Sequence, residues 1–169
     1  SNLHPDDDRY WPLYPEIARE PFLIAGSDIK AGAKIDTLVQ PHDIAPTIFE
    51  LLNLDANPPE PFTGHSFKTQ LVDEVKTPIR EVAITASHSD KLDYGLANRS
   101  TTPSITDGRW ALYPVGPSGQ PELYDLSTDP LAEKNIIADN ADIAKELSNK
   151  FINELTVLGC DQETSQWSK

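Results

Sequence analysis

The sequence predicts an α+β fold: a small antiparallel meander packed against a long C-terminal helix, with a strand–helix segment ahead of both. Three observations carry that prediction. Ile143, Leu147, Phe151 and Leu155 recur every fourth residue near the end of the chain, the period of one helix face. Residues 104–126 hold two strand–turn repeats, punctuated by Asp107-Gly108 and by Gly116-Pro117-Ser118-Gly119. A short apolar run, PFLIAG (21–26), precedes a second helical pattern at Ile44, Ile48, Leu51 and Leu52. Strands and helices do not alternate regularly, so a βαβ series is not indicated.

Taken in order, residues 1–20 read as an irregular opening segment rich in Asp and Pro, and Ser1-Asn2 resembles a tag scar left on a piece of a longer protein. PFLIAG suits a buried strand closed by Gly26, and TLVQ (37–40) a second short extended piece. Asp43 stands just before the first apolar helix, where its carboxylate can accept from free backbone N–H groups. Pro46 then falls in the first turn, where no intrahelical N–H is needed. Residues 54–63 form a Pro-rich loop and Ser66–Val72 a short helix. EVAITAS (81–87) alternates as a strand does, and the long polar stretch 88–104 is a loop. Asp107-Gly108 turns the chain between Ile105 and Trp110–Leu112, and the second turn leads into Glu122–Leu126. Ile152 and Leu158 join the last helix face, which Gly159 ends. Four segments result: 1–20, an irregular opening; 21–60, strand and helix; 61–160, the α+β subdomain; and 161–169, a flexible tail.

The totals exclude several functions. The chain has 169 residues, 38% of them apolar, enough for one core. Twenty-seven acidic residues against 14 basic ones give a net charge of −13, and no Lys/Arg stripe is present to displace the counterions of a nucleic acid. No apolar run is long enough to span a membrane. A single cysteine, Cys160, excludes an internal disulfide framework.

The search for chemistry yields few candidates. Neither a phosphate-binding Gly-rich loop nor a Gly-x-Ser-x-Gly elbow occurs. The four histidines, His4, His42, His65 and His88, have no paired ligand spacing. Cys160 follows a helix C-terminus, the wrong end for lowering a thiol pKa. Asp6-Asp7-Asp8 lacks the Gly turn and later Glu of a calcium loop. Asn98-Arg99-Ser100 is a formal glycosylation sequon. Two substrate-binding candidates remain in the polar loop: His88 at a strand end, and Arg99, whose paired N–H donors suit a sulfate or phosphate. Each also reads as a solvated loop residue.

Several blocks resemble the sulfatases. Tyr14-Pro-Glu-Ile-Ala-Arg19-Glu-Pro21-Phe-Leu-Ile is similar to their Tyr-x-Glu-x-x-Arg-x-Pro-apolar strand. Asp36 and Leu-Val-Gln-Pro-His-Asp43-Ile-Ala-Pro46-Thr47 resemble a block written D…LVS-x-VDIAPT. Gly64-His-Ser66-Phe resembles G-x-S-L, and Asp107-Gly-Arg-Trp110-Ala-Leu resembles DGRWKL. Glu122-Leu-Tyr-Asp-Leu126, Asp129-Pro130, Glu133 and Asn135 follow ELYDL-x-x-DP-x-E-x-x-N. The matches come in family order and cover only its C-terminal portion.

The resemblance implies a parent in the alkaline-phosphatase superfamily, with a Cys or Ser in Cys/Ser-x-Pro-x-Arg oxidised to formylglycine and a calcium ion held by Asp and Asn or His residues. None of these motifs is present here; Arg9, Tyr10 and Trp11 occupy the region of the family's catalytic Lys. No catalytic or metal-binding residue is therefore assigned. The expectation is a scaffold and substrate-cleft wall of a sulfuric ester hydrolase, inactive alone and completed by an N-terminal catalytic portion that brings calcium, formylglycine and the sulfate ester together. Exposed apolar surface and self-association are expected in the first 60 residues. The same portion of a phosphodiesterase or phosphonate monoester hydrolase, and a stand-alone binding module, are the alternatives. The sequence leaves the compartment open, a periplasmic or secreted parent included.

Overall fold

A computed structural model describes residues 13–26, 28–54, 62–86, 103–116 and 118–157. The chain divides into two compact units, one of Ser1–Glu20 with Ile84–Lys169 and one of Pro21–Ala83.

The first unit is built on a four-stranded sheet ordered β1 (Ala83–Thr85), β2 (Ser104–Thr106), β3 (Trp110–Tyr113) and β4 (Glu122–Asp125). β2, β3 and β4 pair antiparallel, with Ile105 opposite Leu112 and Leu112 opposite Leu123. Side chains alternate across a strand, so these three share one face. Helix α4 (Ala141–Val157) lies against β2 and β3 and buries Ala144, Leu147 and Phe151. The opposite face carries Ala111, Tyr113 and Tyr124, which cluster with Tyr14, Leu126 and Ala132. Tyr14 opens the single turn α1 (Pro15–Ala18), and its ring lies 4.7 Å from that of Tyr113. The sheet is thus covered on both sides. Each buried Leu contributes about 2–3 kcal/mol by leaving water.

The first hairpin turn differs from its expected position by one residue. Asp107 pairs with Trp110 through its N–H, so Gly108 and Arg109 are the central residues. Gly108 has φ +96°, the left-handed value that the first position of a II′ turn demands. The Asp107 carboxylate accepts from the Arg109 and Trp110 N–H groups at 2.9 and 2.8 Å, an Asx-type cap that competes with the central position. The second turn falls where expected: the Gly119 N–H donates to the Gly116 carbonyl at 2.9 Å.

The outer edge of β4 is closed by its own C-terminal extension. Asp129 accepts from the Glu133 and Lys134 N–H groups, which curls the chain back. Asn135 Oδ1 then accepts from Leu123 N–H, and Ile136 N–H donates to the Leu123 carbonyl at 2.9 Å. An open edge would invite another chain to pair; here the Asp129–Asn135 loop occupies it.

The second unit contains α2 (Ile44–Leu51), entered through a 3₁₀ turn at Pro41–Asp43, and α3 (Lys68–Val72), which starts two residues later than the expected Ser66. Residues 21–26 form no strand, and Leu23 is 94% exposed. An extended run becomes a strand only when a neighbouring strand takes up its backbone groups. Residues 62–83 gather onto the α2 segment, so this compact unit extends past residue 60.

Candidate functional site

His88 and Arg99 lie outside the described residues, as do His4, Cys160 and the helix stop at Gly159. The densest polar assembly among the described residues forms instead around Asp43. Pro41 sets the first φ of the 3₁₀ turn, and Gln40, in extended conformation, caps it. The Asp43 carboxylate reaches back to the Gln40 N–H through Oδ2 at 2.7 Å. Asp43 is completely buried.

The expected role of Asp43, capping the first N–H groups of α2, is not the one it performs. Its side chain makes no bond to that helix. Oδ1 accepts from the His65 N–H at 2.8 Å and from the Arg80 guanidinium. The helix start was legible; the partner was not, because it comes from 37 residues downstream. Arg80 carried no sequence signal beyond standing alone before an apolar strand. Its Nη1 also donates to Gln40 Oε1 and lies 3.3 Å from His42 Nε2. Its Nε is buried with no partner among the described residues.

Backbone approach makes the cluster tight. A Cβ on Gly64 would stand 2.0 Å from the His42 carbonyl oxygen, so no side chain fits there. Thr47 Oγ1 donates to the Asp43 carbonyl at 2.6 Å and accepts from the Phe67 N–H at 3.1 Å, tying α2 to the start of α3. His42 itself is half exposed, 3.6 Å from Asp43 Oδ1. This is an ion-pair clamp that joins three segments of chain. Burying two charges is tolerated only because nearly every lone pair and N–H is used.

Two further polar contacts join blocks far apart in sequence. The Tyr14 and Tyr124 hydroxyls both donate to Glu122 Oε2, at 2.5 and 2.9 Å. Burial first, and the Glu122 carboxylate second, push the Tyr14 phenol well above its usual range. At the first hairpin Arg109 Nη2 bonds Asp125 at 3.0 Å, and its guanidinium lies 4.5 Å over the Trp110 ring. That guanidinium, with help from Ser127, holds the Asp125 carboxyl down at about 2.

Among the described residues, the donor set around Asp43 does not fit calcium. A hard cation takes six or more oxygen ligands, and the Asp43 carboxylate is already occupied by two N–H groups and a guanidinium. Among the described residues no group of three or more His, Cys, Asp or Glu side chains could hold a metal ion, and no helix is long and apolar enough to cross a membrane.

A meander with both faces covered, its edge strand clipped by a DP-x-E-x-x-N loop and its inner tyrosine bonded to the ELYDL strand, defines the class: the C-terminal α+β module of sulfatases. The chain belongs to the family described as N-sulphoglucosamine sulphohydrolase, C-terminal, whose model matches residues 7–158. Arylsulfatase K of Xenopus laevis is 26% identical over 142 residues, covering 82% of this chain and 26% of that protein. Arylsulfatase K of Mus musculus is 29% identical over 144 residues, covering 82% and 25%. The chain therefore spans about a quarter of the length of the curated relatives it matches. Among solved structures, a 2-O GAG sulfatase superposes with a TM-score of 0.65 at 26% identity, over 83% of this chain and 30% of that one. The phosphonate monoester hydrolase of Agrobacterium radiobacter shares the fold, with a TM-score of 0.53 at 23% identity over 71% of this chain and 25% of that one.

Proposed function

We propose that this chain is the scaffold and cleft-wall portion of a sulfatase-type sulfuric ester hydrolase, and that the groups that break the ester bond reside on a separate catalytic portion. The observation that carries this reading is the family match over residues 7–158 in a chain that spans about a quarter of the length of its relatives. The buried polar chemistry supports it. The Asp43 carboxylate, the strongest base candidate by burial, is committed to Arg80 and two backbone donors, so it holds loops together and is not free to accept a substrate proton. Sulfate-ester cleavage needs a positioned nucleophile and a cation against the developing charge; formylglycine and calcium would supply both from the catalytic portion. His88 and Arg99, which lie outside the described residues, are proposed to bind the sulfate ester.

The test is an assay with an aryl sulfate and calcium, with a matching phosphonate ester in parallel. The chain alone is expected to give no turnover above a no-protein blank. Supplying the catalytic portion should restore sulfate-ester cleavage. Turnover by the chain alone would overturn the proposal, and restored cleavage of the phosphonate ester only would reassign the ester class.

A further inference from the structure

Glu122 shares the sheet face beneath Tyr14 with two tyrosines. It stands opposite Tyr113 in the β3–β4 register and two residues before Tyr124, so all three side chains point to that face. The Tyr14 and Tyr113 rings lie 4.7 Å apart, and Tyr14 meets Tyr124 edge-on at 6.2 Å. The Tyr14 phenol at 2.5 Å and the Tyr124 phenol at 2.9 Å donate to the same oxygen, Glu122 Oε2. A Cβ on Gly116 would stand 2.4 Å from Glu122 Cδ, so the bare backbone of the second turn is what lets the carboxylate lie there. Tyr14 is held at its backbone as well. Its carbonyl accepts from the Ile17 and Ala18 N–H groups at 2.9 Å, and Pro15 sets the first φ of α1. One residue thus fixes both the depth and the direction in which the opening segment leaves the sheet.

We infer that Glu122 is a positioning residue: by holding the Tyr14 phenol it fixes the path of the peptide that joins the sheet unit to the catalytic portion, and with it the placing of the cleft wall against the bound ester. This rests on the proposed function, under which a catalytic portion precedes the opening segment. The matching family is the C-terminal one, its match begins at residue 7, and the matched region is about a quarter of each relative. A carboxylate serving the strand alone needs one phenol, and Tyr124, two residues along, already supplies it. The second phenol comes from 108 residues away in sequence. A bond across that span constrains where the distant segment runs, and small errors in such placement are costly to a bound substrate. Both tyrosines are buried, so loss of the carboxylate takes this acceptor from each of them.

The experiment uses the whole enzyme, catalytic portion included, and measures kcat and KM for an aryl sulfate in the presence of calcium. Glu122→Ala is expected to raise KM about tenfold with kcat within about twofold of the wild type, the signature of lost binding with the chemistry intact. Glu122→Gln keeps an acceptor oxygen for the phenols and should return KM close to the wild-type value. Tyr14→Phe frees the opening segment while Tyr124 still occupies the carboxylate, and should raise KM severalfold. Leu147→Ala, which loosens the opposite face of the same sheet, is the control: it should lower the melting temperature and leave KM unchanged. Circular dichroism confirms that each variant is folded at the assay temperature; should Glu122→Ala fail to fold, Tyr14→Phe carries the same test. An unchanged KM in Tyr14→Phe and in folded Glu122→Ala, or an equal rise in Leu147→Ala, would overturn this inference and leave the proposed function standing. A wild-type enzyme that does not cleave the sulfate ester would overturn the proposed function itself.

Discussion

The sheet unit and the unit around α2 fill their interiors differently. In the sheet unit, Ile105, Leu112 and Leu123 sit beneath α4, and Tyr113 and Tyr124 beneath Tyr14, so apolar groups occupy both interfaces. In the other unit the ion pair of Asp43 and Arg80 and the Thr47 hydroxyl are buried along with Phe67, Leu71 and Val82, while Ile48 and Leu52 of α2 are exposed. The first unit has a core that its own residues complete. The second adds a polar clamp to its buried apolar residues, and the clamp fixes backbone geometry. A buried ion pair contributes little net stability but is costly to break, so the clamp acts more as a specifier of loop positions than as a source of stability.

The largest expected effect separates the two units directly. Asp43→Ala leaves Arg80 buried without its carboxylate and should cost about 3–5 kcal/mol. Amide exchange should rise across residues 62–80 while residues 105–126 keep their protection. Leu147→Ala is the mirror case: a cavity beneath the sheet costing about 2–5 kcal/mol, with exchange rising in 105–126. If either substitution loosened both regions equally, the division into independently held units would fail.

A smaller effect tests how the opening segment is held to the sheet. Tyr14→Phe removes one phenol from the Glu122 carboxylate while Tyr124 still donates, so a loss of about 1.5 kcal/mol is expected. Tyr14 titrates above its ordinary range in the folded state. The stability it supplies is therefore fully present below the unfolded phenol pKa of about 10 and is lost as the pH rises beyond it. Alkaline thermal melts should show a drop in the wild type that is shallower in Tyr14→Phe; an identical slope would remove the Tyr14–Glu122 bond from the account.

The smallest effect concerns the exposed hairpin pair. Asp125 is held at about 2, chiefly by Arg109. A depressed carboxyl contributes stability present above its unfolded value of about 3.9 and lost as the pH falls through the folded one, so the window is pH 4 down to 2. Arg109→Ala should return Asp125 toward the ordinary carboxylate range in a carboxyl-carbon NMR titration, with almost no change in melting temperature at pH 7, because an exposed pair is worth little. An unmoved titration would show that Ser127, not Arg109, dominates.

Much of the architecture was legible in the residues. The four-residue steps from Ile143 to Leu155 fixed a helix that the structure places at Ala141–Val157, and the two Gly-containing turns fixed a meander of β2, β3 and β4. The hairpin turn slipped by one residue because Asp107 uses its side chain to cap the turn and so stands beside its centre. PFLIAG was apolar enough for a strand, but among the described residues no strand pairs with it. Of the candidate site, Asp43 was visible as a helix opener, whereas Arg80 was not visible at all. The substrate-binding candidates His88 and Arg99 remain proposals, since they fall outside the described residues.

The sequence by itself determined the local objects: helix faces, turn positions, the acidic surface, and the ordered blocks that mark the sulfatase C-terminal family. Each of these depends on residues within a few positions of one another, where spacing and backbone preference suffice. Only the tertiary structure decided that Asp43 answers to Arg80 across 37 residues, that Tyr14 answers to Glu122 across 108, and that Thr47 is the buried residue of α2. Those choices depend on which distant groups can satisfy a buried charge or hydroxyl once the chain is compact, and no period in the sequence encodes that.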